Sequence, residues 1–256
     1  MRHVALLVVA VSCVLFPGLS ACGSLREHGQ GEIWRGAFEQ TTADPWQWAP
    51  AAATLAATPI LLFDDKHTSA ESVEDHFFGT KTSYGDELSL GLGLAPILLG
   101  GAHWVAAGDS EVFEAASEAT VAVAAETQVL KLVTNRQRPD GSSGSASFPS
   151  GHTSFAFGGA TLLARWWERE HDGSKLLYWL YVPASYVGLT RLEGDRHYLS
   201  DITFGAALGI LTSNLVWNAH FGDERHAGLY SRRRALSTLT PLVTPEGVGL
   251  AWSLSF

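Results

Sequence analysis

Residues 149–167, which read PSGHTSFAFGGATLLARWW, join a polar turn to a mainly apolar run that begins at Thr153. The run is long enough for a core helix, and the Ser-Gly pair ahead of it suits a helix start. Five other runs of this kind are separated from it and from one another by short polar stretches. The six runs span residues 48–63, 88–108, 111–133, 153–167, 176–190 and 202–221. Six helices joined by short loops predict an all-α fold, a six-helix bundle.

The composition of the whole chain is that of a folded, acidic protein. Of its 256 residues, 46% are hydrophobic and only 17% are charged, which excludes a disordered or strongly solvated chain. The formal net charge of −9 argues against a nucleic-acid-binding protein, which would carry a basic surface. Any cluster of Lys and Arg therefore stands out against an acidic background.

The first residues have the pattern of a secretory leader. A basic start is followed by an apolar run over residues 4–16, which is too short to span a bilayer, and then by Leu19-Ser20-Ala21-Cys22. These four residues resemble a bacterial lipobox, in which the Cys is lipidated and becomes the new N-terminus. We therefore expect a lipoprotein signal peptide over residues 1–21 and a lipid anchor on Cys22. An ordinary signal peptide cleaved at a nearby Ala is the alternative.

The rest of the chain divides into three predicted parts. Residues 22–45 are polar and are expected to form a tether, residues 46–225 form the helical domain, and residues 226–256 form a tail. In the tail, Pro245-Glu246-Gly247 is a good turn before an alternating stretch, which predicts a β-hairpin; a membrane-docking or partner-pairing strand is the alternative. The helical runs have lengths at which core helices and membrane spans look alike. A lipid-anchored bundle at the membrane surface and a six-span membrane protein both stay open.

Three short segments hold almost all the unusual polar residues. They are residues 131–139, 149–152 and 191–201. The first ends the third run, the second starts the fourth, and the last joins the fifth run to the sixth. In an up-down bundle these four helix ends lie at one pole. The sequence therefore predicts a single cluster that contains Lys131, Arg138, Ser150, Gly151, His152, Arg191, His197 and Asp201.

The residue types in this cluster suit a small multivalent anion. Lys131, Arg138 and Arg191 offer three fixed cations, and guanidinium groups match phosphate oxygens with paired donors. Ser150 and Gly151 precede a predicted helix, where backbone N–H groups and the helix dipole form a natural phosphate cradle. The pattern thus indicates a phosphate-binding site.

Two histidines add a reaction to this binding site. His197 and Asp201 are four residues apart, on one face of a helix, and a carboxylate bonded to one ring nitrogen makes the other nitrogen a better nucleophile. His152 lies across the cradle and can protonate the leaving oxygen. The predicted chemistry is in-line displacement through a phosphohistidine, followed by attack of water. The three cations neutralise the charge, so we expect no metal and no other cofactor.

The three segments resemble the three-part signature of the type 2 phosphatidic acid phosphatase and vanadium haloperoxidase superfamily. The motifs are Lys131-x6-Arg138-Pro139, Pro149-Ser150-Gly151-His152 and Arg191-x5-His197-x3-Asp201. The resemblance implies a six-helix core and a phosphoric ester hydrolase. It implies phosphate binding by Lys131, Arg138, Ser150, Gly151 and Arg191, and the roles of general acid, nucleophile and orienting carboxylate for His152, His197 and Asp201. Two departures are visible: Thr190 stands where the family usually has Ser, and Asn135 stands where many members have Gly.

These observations lead us to expect a metal-independent phosphatase that acts on monoesters or diphosphates of membrane lipids. It would face the periplasm of a bacterial envelope, with the outer membrane favoured over the inner. Candidate substrates are phosphatidic acid, phosphatidylglycerol phosphate, a polyprenyl diphosphate and the lipid A phosphates. The alternatives are a broad acid phosphatase for soluble monoesters, a vanadate-dependent haloperoxidase, and a non-catalytic lipoprotein that binds phosphorylated lipids.

Overall fold

Six of the helices correspond to the six apolar runs of the sequence. The computed structural model describes residues 30–63, 84–142, 146–222, 238–244 and 247–253. The helices within this part are α1 (Gln30–Ala43), α2 (Pro45–Phe63), α3 (Gly85–Ala107), α4 (Glu111–Thr134), α5 (Gly151–Glu170), α6 (Tyr181–Glu193) and α7 (Leu199–Phe221). The fifth predicted run starts as a short 3₁₀-helix, Leu176–Leu180, and continues as α6. The prediction of an all-α bundle is therefore confirmed, with α2 to α7 as its six helices.

Helix α1 lies within residues 22–45, the segment predicted to be a tether, and the sequence pattern does not anticipate this helix. The helix packs against α7. The Asn218 side chain of α7 donates hydrogen bonds to Thr41 Oγ1 at 2.9 Å and to Gln47 Oε1 at 2.7 Å, so it links α7 to both α1 and α2. A polar segment is helical here because it adds its few small residues, such as the buried Ala37, to an existing core. The predicted leader and Cys22 lie outside the described residues.

Helix α7 lies at the centre of the bundle and packs against α1, α2, α4 and α5. Its contact with α5 depends on Gly205 and Gly209, which are one helical turn apart. A Cβ atom on Gly205 would lie 2.7 Å from the carbonyl oxygen of Ser150, and one on Gly209 would lie 2.3 Å from that of Ser154. The two helix backbones therefore meet with no side chain between them. This contact fixes the start of α5 against the first turns of α7.

Helix α3 packs on α4, α5 and α6 but leaves much of its surface open. Its closest approach is to α5, where a Cβ atom on Gly159 would lie 2.0 Å from the carbonyl oxygen of Leu92. In the described part of the chain, α3 and α7 are the two helices long and apolar enough to cross a membrane. Most of α7 is buried within the bundle, as expected of a core helix, whereas most of α3 is not. Exposed large apolar side chains of α3 are Leu90, Leu94, Leu98, Leu99 and Val105.

The predicted C-terminal hairpin is confirmed in its two strands. Strand β1 (Thr238–Thr244) pairs antiparallel with β2 (Gly247–Ser253), and Thr244 lies opposite Gly247. Pro245 and Glu246, which were predicted to form the turn, lie outside the described residues. Two residues separate the paired ends of the strands, which is the commonest connection length in a β-hairpin.

Candidate active site

The end of α4, the start of α5, the end of α6 and the start of α7 meet at one pole of the bundle, as predicted. The backbone holds them together through three hydrogen bonds between loops and helix starts. The backbone N–H of Ser150 donates to the carbonyl oxygen of Asp201 at 3.0 Å. The backbone N–H of Ser147 donates to the carbonyl oxygen of Arg136 at 2.8 Å, and that of Asp140 donates to the carbonyl oxygen of Asp195 at 3.1 Å. The three polar segments of the sequence thus form one structural unit.

His197 and Asp201 lie together in the interior of this unit. His197 is 3% exposed and Asp201 is fully buried. The Nδ1 atom of His197 lies 3.6 Å from Asp201 Oδ2 and 3.4 Å from the hydroxyl of Ser147, which itself donates a hydrogen bond to Asp201 Oδ2. Because Nδ1 faces these oxygens, it is the nitrogen that carries the proton and Nε2 is the nitrogen with the free lone pair. Sequence reasoning found the pair but missed Ser147.

The second oxygen of Asp201 is held by Arg136, another residue that the sequence analysis left without a role. Nη1 of Arg136 donates to Asp201 Oδ1 at 2.7 Å and to the hydroxyl of Ser200 at 2.8 Å. Its guanidinium also lies over the ring of Tyr198, 4.0 Å from the centroid, and the N–H of Tyr198 donates to Asp201 Oδ2 at 3.0 Å. Both carboxylate oxygens are therefore fixed in position.

This environment sets the protonation of both groups. Burial raises the pKa of the Asp201 carboxyl, but the interactions with His197, Ser147 and Arg136 outweigh burial, so the pKa lies below its usual value. Burial lowers the pKa of His197, and the charges of Lys131 and Arg138 lower it further, against the opposite effect of Asp201. At neutral pH the site accordingly holds an ionised Asp201 beside a neutral imidazole.

Lys131 and Arg138 bring positive charge to the same place. Lys131 lies in the last turn of α4, and its ammonium donates to the backbone carbonyl of Ala146 at 2.6 Å. Burial and the charge of Arg138 lower the pKa of Lys131 to about 8. The charge of Arg138 also lowers the pKa values of His152 and His197, which places its guanidinium within electrostatic reach of both histidines.

Ser150 and Gly151 form the start of α5. Ser150 is the N-cap residue in an extended conformation, and its side chain makes no capping hydrogen bond to the first turn of the helix. Its buried hydroxyl instead lies 2.9 Å from the hydroxyl of Thr153. The first N–H groups of a helix have no partner within the helix, and those of α5 begin at the same pole as Lys131. A Cβ atom on Gly151 would lie 3.9 Å from Cε of Lys131.

Arg191 and His152 meet at a carboxylate that sequence reasoning missed. Nη1 of Arg191 donates to Oδ1 of Asp86 at 2.6 Å, and Nε2 of His152 lies 3.0 Å from the same oxygen. Arg191 is buried, whereas His152 and Asp86 are partly open to solvent. Burial and the charge of Arg191 lower the pKa of His152, and Asp86 acts in the opposite direction. The eight residues of the predicted cluster thus lie at one pole.

The two departures from the expected motifs have structural explanations. Asn135 ends α4 with φ 41° and ψ 39°, a left-handed conformation that Gly adopts most easily and Asn next. Thr190 is buried and its hydroxyl donates to the carbonyl of Val187 at 2.8 Å, a bond that Ser can make equally well. Neither substitution disturbs the site.

Comparison with protein families gives a match that covers the site. Residues 115–225 match the family described as the PAP2 superfamily. This segment runs from α4 through α7 and includes each of the three motifs. No solved structure matches the chain significantly.

Curated relatives are similar over a shorter segment. Lipid A 1-phosphatase of Porphyromonas gingivalis is 42% identical over 82 residues, which are 31% of this chain and 17% of that protein. Probable diacylglycerol pyrophosphate phosphatase 1 of Schizosaccharomyces pombe is 36% identical over 93 residues, and lipid phosphate phosphatase 1 of Arabidopsis thaliana is 29% identical over 92 residues. These matches cover 32% of this chain in each case, and 33% and 28% of the two proteins. The chain therefore spans a third or less of the length of these relatives.

Proposed function

Residues 115–225 match the PAP2 superfamily, and on this basis we propose that the chain is a member of that family and a phosphatase of membrane lipids that works through a phosphohistidine. The observation that carries the proposal is the buried His197, whose Nδ1 faces Asp201 and Ser147 and whose Nε2 is left for the substrate. The names of the three relatives, each a phosphatase of a lipid phosphate or lipid diphosphate, support the substrate class.

The first chemical step is attack by His197 on phosphorus. The Nε2 lone pair forms the new N–P bond while the P–O bond to the leaving group breaks in line with it. The imidazole gains positive charge in this step, and ionised Asp201 stabilises that charge through Nδ1–H. Because the pKa of His197 is lowered, the ring is neutral and ready to attack at neutral pH.

His152 completes the proton balance of both steps. His152 acts in its protonated form, which its lowered pKa makes the minor form at neutral pH, and gives its proton to the leaving oxygen, which departs as a neutral alcohol or a phosphomonoester. A water molecule then attacks the phosphohistidine, the N–P bond breaks, and the proton of that water returns to His152. Inorganic phosphate is released and both histidines are restored.

The cations and the start of α5 neutralise the charge of the transferring group. Lys131, Arg138 and Arg191 surround the cradle, and the first N–H groups of α5 add fixed dipoles without reorganisation. Among the described residues, no group of three or more His, Cys, Asp or Glu is arranged to hold a metal ion. Because Lys131, Arg138 and Arg191 supply positive charge at the site, we propose that the reaction needs no metal.

The exposed apolar surface supports a lipid substrate and a membrane location. Helix α3 begins at the site pole, and its exposed Leu and Val side chains lie along the length of the helix. A helix of 23 residues is long enough to cross the hydrocarbon core of a bilayer. At the site itself, Leu132 and Val133 are exposed directly after Lys131 in the last turn of α4. We propose that α3 lies against the lipid and that acyl chains reach the site past Leu132 and Val133.

The lipid anchor and the compartment remain part of the proposal. A lipidated Cys22 would attach the helical domain to a bacterial envelope membrane with its site towards the periplasm. Metabolic labelling with an alkyne fatty acid tests the anchor, with Cys22→Ser as the variant expected to lose the label. Label retained by Cys22→Ser would contradict the anchor without touching the chemistry.

One experiment tests the proposed reaction. The full chain, solubilised in detergent with EDTA, is incubated with ³²P-labelled phosphatidic acid and quenched within milliseconds. We expect phosphate release and a protein-bound label that is stable in base and lost in acid, as a phosphoramidate is. His197→Ala should lose both signals, whereas His171→Ala, an exposed His at the C-terminus of α5, should keep both. Undiminished turnover in His197→Ala would refute the mechanism.

Parallel assays separate the other readings of the same site. An aryl phosphate preferred over the lipid would indicate a soluble acid phosphatase. Halide oxidation by hydrogen peroxide in the presence of vanadate would indicate a haloperoxidase. Lipid binding without any phosphate release would indicate a non-catalytic lipoprotein.

A further inference from the structure

Asp86 occupies a defined place at the site, although no motif points to it. It lies in the first turn of α3, and this turn presses directly on the end of α6. A Cβ atom on Gly85 would lie 2.1 Å from the hydroxyl of Thr190 and 2.8 Å from Nη2 of Arg191, so only Gly allows the approach. The close contact fixes the position of the adjacent Asp86.

A second contact links the same helix to the general acid. The hydroxyl of Ser89, one turn further along α3, donates to the backbone carbonyl of His152 at 3.0 Å. Ser89 is buried. The backbone of His152 and its ring are thus both in contact with α3, through Ser89 and Asp86 respectively. Such paired support is what holds a catalytic side chain in one rotamer.

From this geometry we propose that Asp86 is a positioning residue that orients His152 for proton donation. A single oxygen, Oδ1, accepts from Nη1 of Arg191 and faces Nε2 of His152. With Nε2–H bound to Asp86, Nδ1–H is the proton that His152 gives to the leaving oxygen. His152 then becomes a neutral ring that still donates Nε2–H to Asp86, and the water of the second step restores Nδ1–H.

The proposal rests on the proposed phosphatase function. In it, each of the two histidines of the site contacts a carboxylate of its own. Asp201 is fully buried and serves the nucleophile, while Asp86 is 60% exposed and serves the acid. The charged and titratable groups that face His152 are Asp86, Arg191, Arg138 and His197. Asp86 is the carboxylate among them, and it opposes the lowering of the His152 pKa by burial and by Arg191. Without it, His152 would lose its proton at a lower pH.

The test uses leaving groups of different basicity. An alkyl or lipid phosphate needs a proton on its leaving oxygen, whereas p-nitrophenolate departs without one. In Asp86→Asn we expect kcat on the alkyl phosphate to fall by about 10- to 100-fold and kcat on p-nitrophenyl phosphate to fall less than about threefold. The matched control is Glu87→Gln, which removes one carboxylate from the same helical turn and should leave both rates unchanged.

The pH profile and a direct titration complete the test. With the alkyl phosphate alone, the high-pH limb of kcat should move to lower pH in Asp86→Asn. NMR of ¹⁵N-His-labelled protein, with the His152 signal assigned by its loss in His152→Gln, should show a lower His152 pKa in Asp86→Asn. Equal loss on both substrates, or an unchanged His152 titration, would overturn the proposal. If the parent chain hydrolyses neither substrate, the proposed function fails, and the NMR titration still decides the placement of Asp86.

Discussion

Replacing Arg136 by Met should destabilise the protein far more than its partly exposed position suggests. Arg136 is 22% exposed but its partner Asp201 is 0% exposed, and the two atoms that join them are 2.7 Å apart. Removing one member of a buried ion pair typically costs about 3–5 kcal/mol, because the other charge stays buried without compensation. Two further donors on Oδ2, Ser147 and Tyr198, remain in the variant and keep the cost at the lower end. We expect a loss of about 3 kcal/mol.

The measurement is urea unfolding of the detergent-solubilised chain, followed by circular dichroism at pH 7. The matched control is Arg196→Met, in the neighbouring loop. Arg196 pairs with Asp140 at 3.2 Å, but its side chain is 53% exposed, so this substitution should change the free energy of unfolding by less than about 1 kcal/mol. Equal losses in the two variants would refute the reasoning.

A double-mutant cycle and the pH dependence identify the cause. In an Asp201→Asn background there is no buried charge to compensate, so Arg136→Met should cost about 2 kcal/mol less than in the parent. The pKa of Asp201 is depressed in the folded state. Its stabilising contribution is therefore present above the unfolded pKa of about 4 and is lost as the pH falls through the folded value. The difference between parent and Arg136→Met should shrink over that acidic range, and a constant difference would contradict the assignment.

Three other predictions follow from the packing and the charges. In urea unfolding, Gly159→Ala should destabilise the fold by about 1–3 kcal/mol, because the new Cβ would lie 2.0 Å from the carbonyl oxygen of Leu92. The control Gly91→Ala, whose Cβ has no atom within 4 Å, should stabilise the fold by about 0.5–1 kcal/mol. Equal effects of the two variants would contradict the close contact of α3 and α5. The value of kcat/KM should fall for every substrate as the pH rises through about 8, because Lys131 loses its charge there. In Lys131→Arg this fall in kcat/KM should occur at higher pH. A fall at the same pH in both proteins would show that Lys131 does not cause it. Ser147→Ala should lower kcat by about 10- to 100-fold with little change in KM, because the hydroxyl that it removes donates a hydrogen bond to the ionised Asp201. A change confined to KM would contradict a role of Ser147 in holding Asp201.

The sequence predicts the helices well except in their first turns. The run predicted to start at residue 88 starts at Gly85, and the run predicted to start at 202 starts at Leu199. First turns are polar, because their unpaired N–H groups favour acidic and hydroxyl side chains, so an apolar pattern begins one turn late. Asp86 and Asp201 both lie in such turns. Asp201 could still be found through its spacing from His197, whereas Asp86 has no neighbour in sequence that marks it.

The supporting residues were missed because their partners are far apart in the chain. Arg136 lies within the first motif, but its partner Asp201 follows 65 residues later. The left-handed Asn135 turns the chain at the end of α4 and leaves Arg136 on the path back towards α7, and a sequence pattern does not reveal that direction. Ser147 lies in a Gly/Ser-rich loop in which no residue is distinguished by composition. Motif spacing identifies the groups that are proposed to contact phosphate, whereas the residues behind them are found only from tertiary contacts.

Because the site is built from the ends of α4, α5, α6 and α7, it exists only while all four helices are in place. Phosphate or a phosphorylated ligand of the proposed kind would then bind the folded chain but not the unfolded one. At a ligand concentration 100 times the dissociation constant, such binding protects the fold by about 2.7 kcal/mol. The lifetime of the protein would consequently follow the supply of such a ligand, and copies without the ligand would be the first to be degraded by proteases.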